Sequence, residues 1–201
     1  YGLELSLEGY PIRTADWKWK LGMNITTYKN KIVSLPSDEM FSGTKRWAKG
    51  GSLYDFYLQE WAGPDPQTGK PRWYGTDDQG NRYITDNYSS LKDTDKVKSG
   101  NSLPKFSGGF NTDLSYKNWQ IVANFSYNIG GKIYNDDKTG LMRNDPGGGT
   151  WSVDMLDRWT PENPYANVGR LTTADSGRWT YPSDRFLVDR SFLKLKTLSL
   201  A

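Results

Sequence analysis

The side chains of this chain best suited to chemistry are its acids and its aromatic rings, because it contains no histidine and no cysteine. Imidazole base catalysis, thiolate nucleophiles, disulfides and His- or Cys-held metals are therefore outside its repertoire. The adjacent acids Asp77-Asp78 and Asp136-Asp137 sit near Gly80 and Gly140 and read as turn acids, not as the facing carboxylate pair that glycoside hydrolysis needs. A calcium loop at Asp77 to Asn81 fails the EF-hand spacing, and the Gly147 to Gly149 run lacks the Lys-Ser/Thr of a phosphate loop. No catalytic residue, cofactor or metal is expected. The aromatics are a different matter. Trp47, Trp61, Trp73, Tyr74, Trp151, Trp159 and Trp179 offer flat faces for sugar rings or for a partner protein, and each could instead anchor its own segment by packing inward.

Composition narrows the setting. The 201 residues are 35% hydrophobic yet 14% aromatic, with nine Trp and thirteen Tyr; mean hydropathy is -0.78. Rings that are apolar at one end and polar at the other favour bilayer interfaces and sugar-binding surfaces. The formal net charge is +3, with both signs interleaved, so no basic stripe marks a nucleic-acid partner. No apolar run reaches the roughly 18 residues of a membrane-spanning helix. Tyr1 onward lacks the charged start and apolar middle of a signal peptide, so the chain is expected to begin inside a longer protein.

What positions these rings is a set of alternating segments. Leu3, Leu5 and Leu7 alternate with Glu4, Ser6 and Glu8; Trp17, Trp19, Leu21, Met23 and Ile25 alternate with Lys18, Lys20, Gly22, Asn24 and Thr26. Phe110 to Tyr116 and Trp119 to Ile129 repeat the design around Lys117-Asn118. Successive side chains of a strand face opposite ways, so each segment has one apolar and one polar face. Strands are predicted at about 2–10, 17–28, 106–116 and 119–130. A fifth lies near 185–200, where the change of parity between Leu195 and Leu198 asks for a bulge near Lys196 or Thr197. A ten-residue strand tilted by ~45° spans roughly 23 Å, close to the ~25 Å apolar band of outer-membrane barrels.

The connections are unequal: a few residues after Tyr10 and Tyr116, but about 29–105 and 131–184 elsewhere. Short turns on one side and long loops on the other are a membrane-barrel trait. Tyr10, Trp17, Tyr116 and Trp119 are expected to ring the short-turn end, and Tyr28 and Tyr127 the other. A hairpin is predicted across Trp73 to Ile84, a short helix within Thr150 to Trp159 capped by Thr150 or Ser152, and tight turns at Ala62 to Pro66 and Asp145 to Gly149. The polar face collects Glu4, Glu8, Lys18, Lys20, Asn24, Asp113, Asn124 and Asn128, candidates for a water-filled lumen or simply a solvated surface. The competing architecture is a soluble carbohydrate-binding β-sandwich or glycosidase accessory domain, whose strands also alternate.

Several stretches resemble the late-barrel region of SusC/RagA-like TonB-dependent transporters. They are Gly9 to Trp19 with Tyr28-Lys29-Asn30-Lys31-Ile32-Val33, Trp61 to Tyr74, Pro104 to Phe110, Arg158 to Pro164, and Ser191 to Leu200. The resemblance covers nearly the whole chain in the family's order. It implies an all-β fold: an antiparallel transmembrane β-barrel segment of about five strands with long extracellular loops, part of a larger C-terminal barrel occupying 1–201. It further implies an outer-membrane, non-enzymatic importer of glycans or other large nutrients, peptides included. Such an importer of Bacteroidetes type is capped by a SusD-like surface lipoprotein and powered by TonB through a region absent from this chain. The plug, the TonB box and the last strands are expected outside this sequence, and about five strands cannot close a channel by themselves.

Overall fold

A computed structural model describes residues 1–143, 149–173 and 178–201. Five strands form one antiparallel sheet in chain order: β1 (Gly2–Arg13), β2 (Trp17–Tyr28), β3 (Phe106–Tyr116), β4 (Trp119–Ile129) and β5 (Phe192–Leu200). All five coincide with alternating segments, because each buries or exposes a whole face at once. A slip of one residue would exchange the faces. Lys117 takes a positive φ of 51°, as the first central residue of a two-residue hairpin turn does. Its N–H donates to Asp16 O at 2.9 Å, tying the two short turns together.

Register carries the apolar face across the sheet without a break. Leu7, Met23, Phe110, Phe125 and Leu195 are cross-strand neighbours in one row, and the Phe110 and Phe125 rings stack at 4.4 Å and 11°. The bulge falls where parity demanded it. Asn124 faces Thr197 and Phe125 faces Leu195, so Lys196 is the extra residue. A second bulge between Gly9 and Ile12 brings the Tyr10 ring beside Lys20 (6.0 Å) and Arg13 (5.6 Å). Those cations belong to the polar face, so Tyr10 leaves the expected aromatic ring. Tyr28 leaves it too, since it pairs with Gly2 two places beyond the Glu4–Thr26 pair and shares that polar parity. Phe106 and Tyr127 hold the apolar side at that end. Tyr127 lies opposite Gly108, and its hydroxyl donates to Asn24 O at 2.9 Å.

Among the described residues, no second layer covers the apolar face. Leu3, Leu7, Leu193, Leu198 and Leu200 are each more than half exposed; Leu21 and Phe125 are half-buried by their strand neighbours, and Ile121 is exposed. A sandwich would enclose these residues against a facing sheet, and this sheet faces none. The sandwich alternative is therefore set aside: the wall is a segment of an antiparallel transmembrane β-barrel, part of a larger one.

The dry core lies in the connections. Phe56, Leu58, Trp73, Met142, Met155, Val168, Trp179 and Phe186 are buried, whereas the wall contributes only Ala123. The connection between β2 and β3 holds a four-stranded sheet (Glu39–Ser42, Lys45–Ala48, Asp55–Leu58, Val97–Asn101) and a three-stranded one (Trp61–Pro64, Pro71–Thr76, Arg82–Thr85). The predicted hairpin is the second half of the latter. Asp77 closes it by accepting from the N–H groups of Gln79 and Asn81. Only this hairpin shows in the sequence pattern, since the other loop strands are four or five residues long and give alternation little room.

The connection between β4 and β5 pairs Lys132–Tyr134 with Leu187–Asp189. Asp136 and Asp137 open the α-helix Asp136–Leu141, capped by Asn135, where carboxylates favour the positive end of the helix dipole. They are first-turn acids, not the turn acids that their neighbouring glycine suggests. The predicted short helix is 3₁₀, Val153–Asp157, and Ser152 is its cap. Of the turn expected at Asp145 to Gly149, residues 145–148 lie outside the described residues.

Arginine at Leu21 or Phe125 is expected to destabilise the assembled barrel by about 2–4 kcal/mol, because each side chain belongs to the apolar rows; Asn124→Arg, on the polar rows, is expected to cost much less. Urea unfolding in lipid vesicles measures the difference. Equal losses at the three positions would mean the faces are reversed or not distinct.

Candidate functional site

The two long connections rise from the same end of the wall and are stitched into one unit. Gln59 and Ser183 form a parallel bridge, Asp184 N–H donates to Gln59 O at 3.0 Å, and Trp61 N–H donates to Asp184 Oδ1 at 2.8 Å. Further along, Arg170 N–H donates to Gly69 O (3.1 Å), and Trp159 Nε1 donates to Pro66 O (3.0 Å). Tyr88 hydroxyl donates to Pro182 O at 3.0 Å. These bonds join segments about a hundred residues apart, so neither connection folds independently of the other.

Aromatic packing fills the unit. Trp73 is fully buried at the centre, with Tyr88 at 5.1 Å, Trp61 at 5.5 Å and Tyr181 at 6.0 Å between ring centroids. Trp179 reaches Trp61 at 5.8 Å and presses on Gly169, where an added Cβ would fall 1.2 Å from the indole. Beside this nest a second cluster joins Met142, Met155, Val168 and Phe186, flanked by Tyr134 and Trp151.

Burial sorts the aromatic candidates. Any further chain can only cover more surface, so a ring enclosed here is enclosed in every assembly that keeps this fold. Trp73 and Trp179, 0% and 2% exposed, are therefore withdrawn as contact residues; they are core. Trp61, Trp151 and Trp159 are half-buried packing residues with part of each side chain reaching the surface. Trp47 donates from Nε1 to Leu53 O at 3.2 Å, and Tyr74 lies under the Arg82 guanidinium at 4.2 Å. The apolar loop residues that do stand free are others: Tyr165 (85% exposed), Leu156 (78%), Val33 (77%) and Val153 (74%). Val153 and Leu156 are three apart in a three-residue-per-turn helix, so they share a face opposite buried Met155. That spacing was available in the sequence, whereas the choice of a 3₁₀ over an α geometry was not.

On the wall, the eight polar candidates share one face by register: Glu4 and Asn128 in one row, Glu8 and Asn124 in another with Asn24 between them, then Lys20 beside Asp113, and Lys18 one row beyond. They partly satisfy one another. Lys20 Nζ contacts Glu8 at 2.8 Å, Gln120 Nε2 donates to both Asp113 oxygens, and Asn24 Oδ1 accepts from Gly109 N–H at 2.7 Å. The arrangement solvates a surface and offers donors and acceptors to something passing over it.

Between wall and loops lies a cavity of about 480 Å³ that includes Tyr28, Asn30, Asp55, Lys98 and Asn101. Burial pushes the Asp55 carboxyl up, but Lys98 (2.8 Å), Asn101 (2.7 Å) and the Ser52 N–H outweigh it and hold the group below its ordinary value. Nearby, Lys45 Nζ sits 3.1 Å above the Phe56 ring. Burial lowers its pKa to about 8 against the pull of Asp55. Burial likewise raises Asp184, with the Trp61 N–H opposing, and lowers Arg185 to about 10, with Asp154 opposing. No group of three or more Asp or Glu side chains among the described residues is arranged to hold a metal ion.

A wall with one apolar and one polar face, edged by short turns and crowned by a folded loop unit, defines a segment of a transmembrane β-barrel. No family model matches the sequence. TonB-dependent receptor P26 of Formosa agariphila is 32% identical over 221 residues, which is 100% of this chain and 21% of the relative. TonB-dependent receptor SusC of Bacteroides thetaiotaomicron is 25% identical, over 100% of this chain and 20% of the relative. Among solved structures, the RagAB peptide importer in its closed-closed state superposes with a TM-score of 0.80 at 28% identity, covering 99% of this chain and 22% of that one. Over its whole length the chain is similar to a stretch of SusC/RagA-like TonB-dependent receptor barrel, and it spans about a fifth of the length of the curated relatives it matches.

Two outcomes follow for the loop unit. Trp73→Ala is expected to destabilise it by ~3–5 kcal/mol, opening the loops to protease while the wall keeps its heat-resistant migration on gels. Lys45, whose folded pKa lies below its unfolded one, is protonated more readily in the unfolded chain. Its contribution to loop stability is expected to rise between about pH 8 and the ordinary lysine range, and acylation of Lys45 should reach half-maximum near pH 8. A Lys45 that labels like the surface lysines would refute its burial.

Proposed function

We propose that this chain forms part of the wall and extracellular mouth of an outer-membrane importer that takes up glycans, driven by TonB through another region and closed by a SusD-like lipoprotein. The observation that carries the reading is the continuous five-strand apolar row with a polar face behind it, in a sequence related over its whole length to TonB-dependent receptors. The division of the chain follows from the same reading: residues 1–201 are a barrel portion, with the connections near 29–105 and 131–184 outside the cell. The apolar rows meet lipid. Glu4, Glu8, Lys18, Lys20, Asn24, Asp113, Asn124 and Asn128 line a wet lumen, and the mixed charge suits an uncharged or weakly charged polymer. No step in this transport asks for a catalytic side chain from these residues.

Peptide cargo is the second reading, supported by the likeness to RagAB, which is described as a peptide transporter. At the mouth, the exposed Val153 and Leu156 on one helix face, and the exposed Tyr165, are the apolar residues offered to the lid, with Tyr74 and Trp47 beside the cargo path.

Deletion of the full-length gene in its host is expected to abolish growth on one polysaccharide while growth on its monosaccharides continues. Affinity purification of the tagged receptor from detergent extracts should bring down a surface lipoprotein. A receptor recovered without detergent, or a deletion strain that fails only on peptides, would overturn the glycan importer in favour of a soluble module or a peptide system respectively.

A further inference from the structure

The cavity between wall and loops stands where β2 and β3 part. Thr26 and Ser107 are paired there, and beyond them the space is lined by Lys29 and Lys105 from the strand ends and by Asp55 and Lys98 from the loop sheet. Three ammonium groups thus share the lining with one carboxylate. That carboxylate is fully engaged: Oδ2 meets Lys98 Nζ at 2.8 Å and the Ser52 N–H at 3.1 Å, and Oδ1 accepts from Asn101 Nδ2 at 2.7 Å. Outside the lining, Asp189 feels Lys132 before Lys105 and accepts from the Ser191 N–H at 2.7 Å, so a positive surplus remains. Among the described residues no carboxylate forms an ion pair with Lys29 or Lys105.

Register fixes the height of these lysines. Leu3 pairs with Thr27 and Phe106 with Ile129, the outermost row of the apolar face at the loop end. Lys29 N–H donates to Tyr1 O and Lys105 N–H to Ile129 O, both at 2.8 Å. Lys29 therefore stands two residues past that row on the same parity, and Lys105 directly adjoins it; both are exposed. Two residues of a tilted strand rise roughly 5 Å along the bilayer normal, about the depth of the headgroup layer beyond the hydrocarbon. Basic pockets at that level attract anionic lipid headgroups. Leu103, Pro104 and Phe106 give the same cavity an apolar side, so it suits both parts of an amphiphile.

We propose that this cavity seats the phosphate headgroup of an outer-leaflet lipid, with the phosphate between Lys29 and Lys105 and the start of an acyl chain along Phe106. The site presupposes a membrane-spanning wall with its long connections outside, as read above. Its electrostatic attraction weakens as salt rises.

Native mass spectrometry of the full-length receptor in detergent tests it with lipid A carrying its phosphates, the same lipid A stripped of them, and inorganic phosphate. The phosphorylated lipid is expected to bind at least about tenfold tighter than the stripped one. Lys29→Gln combined with Lys105→Gln should weaken the phosphorylated lipid about twentyfold, roughly fivefold per lysine, and leave the stripped lipid unchanged. Arginine at both positions keeps the charge and should bind as the parent does. Lys98 is kept, because its loss would take the ion pair from Asp55. Equal affinity for the two lipids overturns the inference, as does a double glutamine receptor that keeps the preference. Displacement of the lipid by an equal concentration of inorganic phosphate or trigalacturonate would overturn it in favour of a free anion or of cargo. Growth is read separately: phosphate-dependent lipid binding by a receptor whose deletion leaves growth on every polysaccharide intact would sink the importer reading and leave the lipid site standing.

Discussion

The wall depends on an apolar face that no other described part of the chain covers. In water, rows such as Leu7–Met23–Phe110–Phe125–Leu195 would drive association or collapse. In hydrocarbon the same rows are solvated, and the backbone polar groups are satisfied between strands. Every other feature of the sheet serves that condition. The bulges at Tyr10-Pro11 and Lys196 restore parity where the sequence shifts it, and Tyr127 crosses Gly108 so that a bare backbone position on the apolar face is capped by a ring.

A second consequence is a division of labour. Because the wall keeps its apolar residues outward, it holds almost no dry core, and the buried side chains gather in the loops. Those loops lack disulfides and His- or Cys-held metals to staple them, so the tryptophans do that work. Trp73, Trp61 and Trp179 interlock segments that lie more than a hundred residues apart, and Trp159 bridges to Pro66 through its indole N–H. This explains a composition that is poor in aliphatic residues yet rich in rings. The same packing sets Arg185 against the rings of Trp61, Trp179 and Phe186.

The candidate site was legible in part. Parity alone assigned all eight polar wall residues to a common face, since a period of two leaves no freedom once strands are paired. Parity did not reveal the bulge in β1, which sends Tyr10 to the polar side, because a proline-containing stretch gives no alternation to break. Among the loop aromatics, residue type allowed contact with cargo or partner for a few and favoured inward packing for most, without saying which were which. Trp73 and Trp179 turned out to be core, and the most exposed apolar loop residues were Tyr165, Leu156, Val33 and Val153. Arg185 carried no signal in the sequence at all: an arginine in a polar loop is ordinary until its neighbours are known.

By itself, the sequence determined the five wall strands, their faces, the bulge at Lys196 and the hairpin around Asp77. Each of these follows from local periodicity or turn chemistry and needs no distant partner. The tertiary structure alone decided which tryptophans are enclosed, how two connections separated by the β3–β4 hairpin fuse into one unit, and that Arg185 lies among aromatic rings. Burial and charge pairing are sums over neighbours brought together from remote parts of the chain, and no window of sequence contains them.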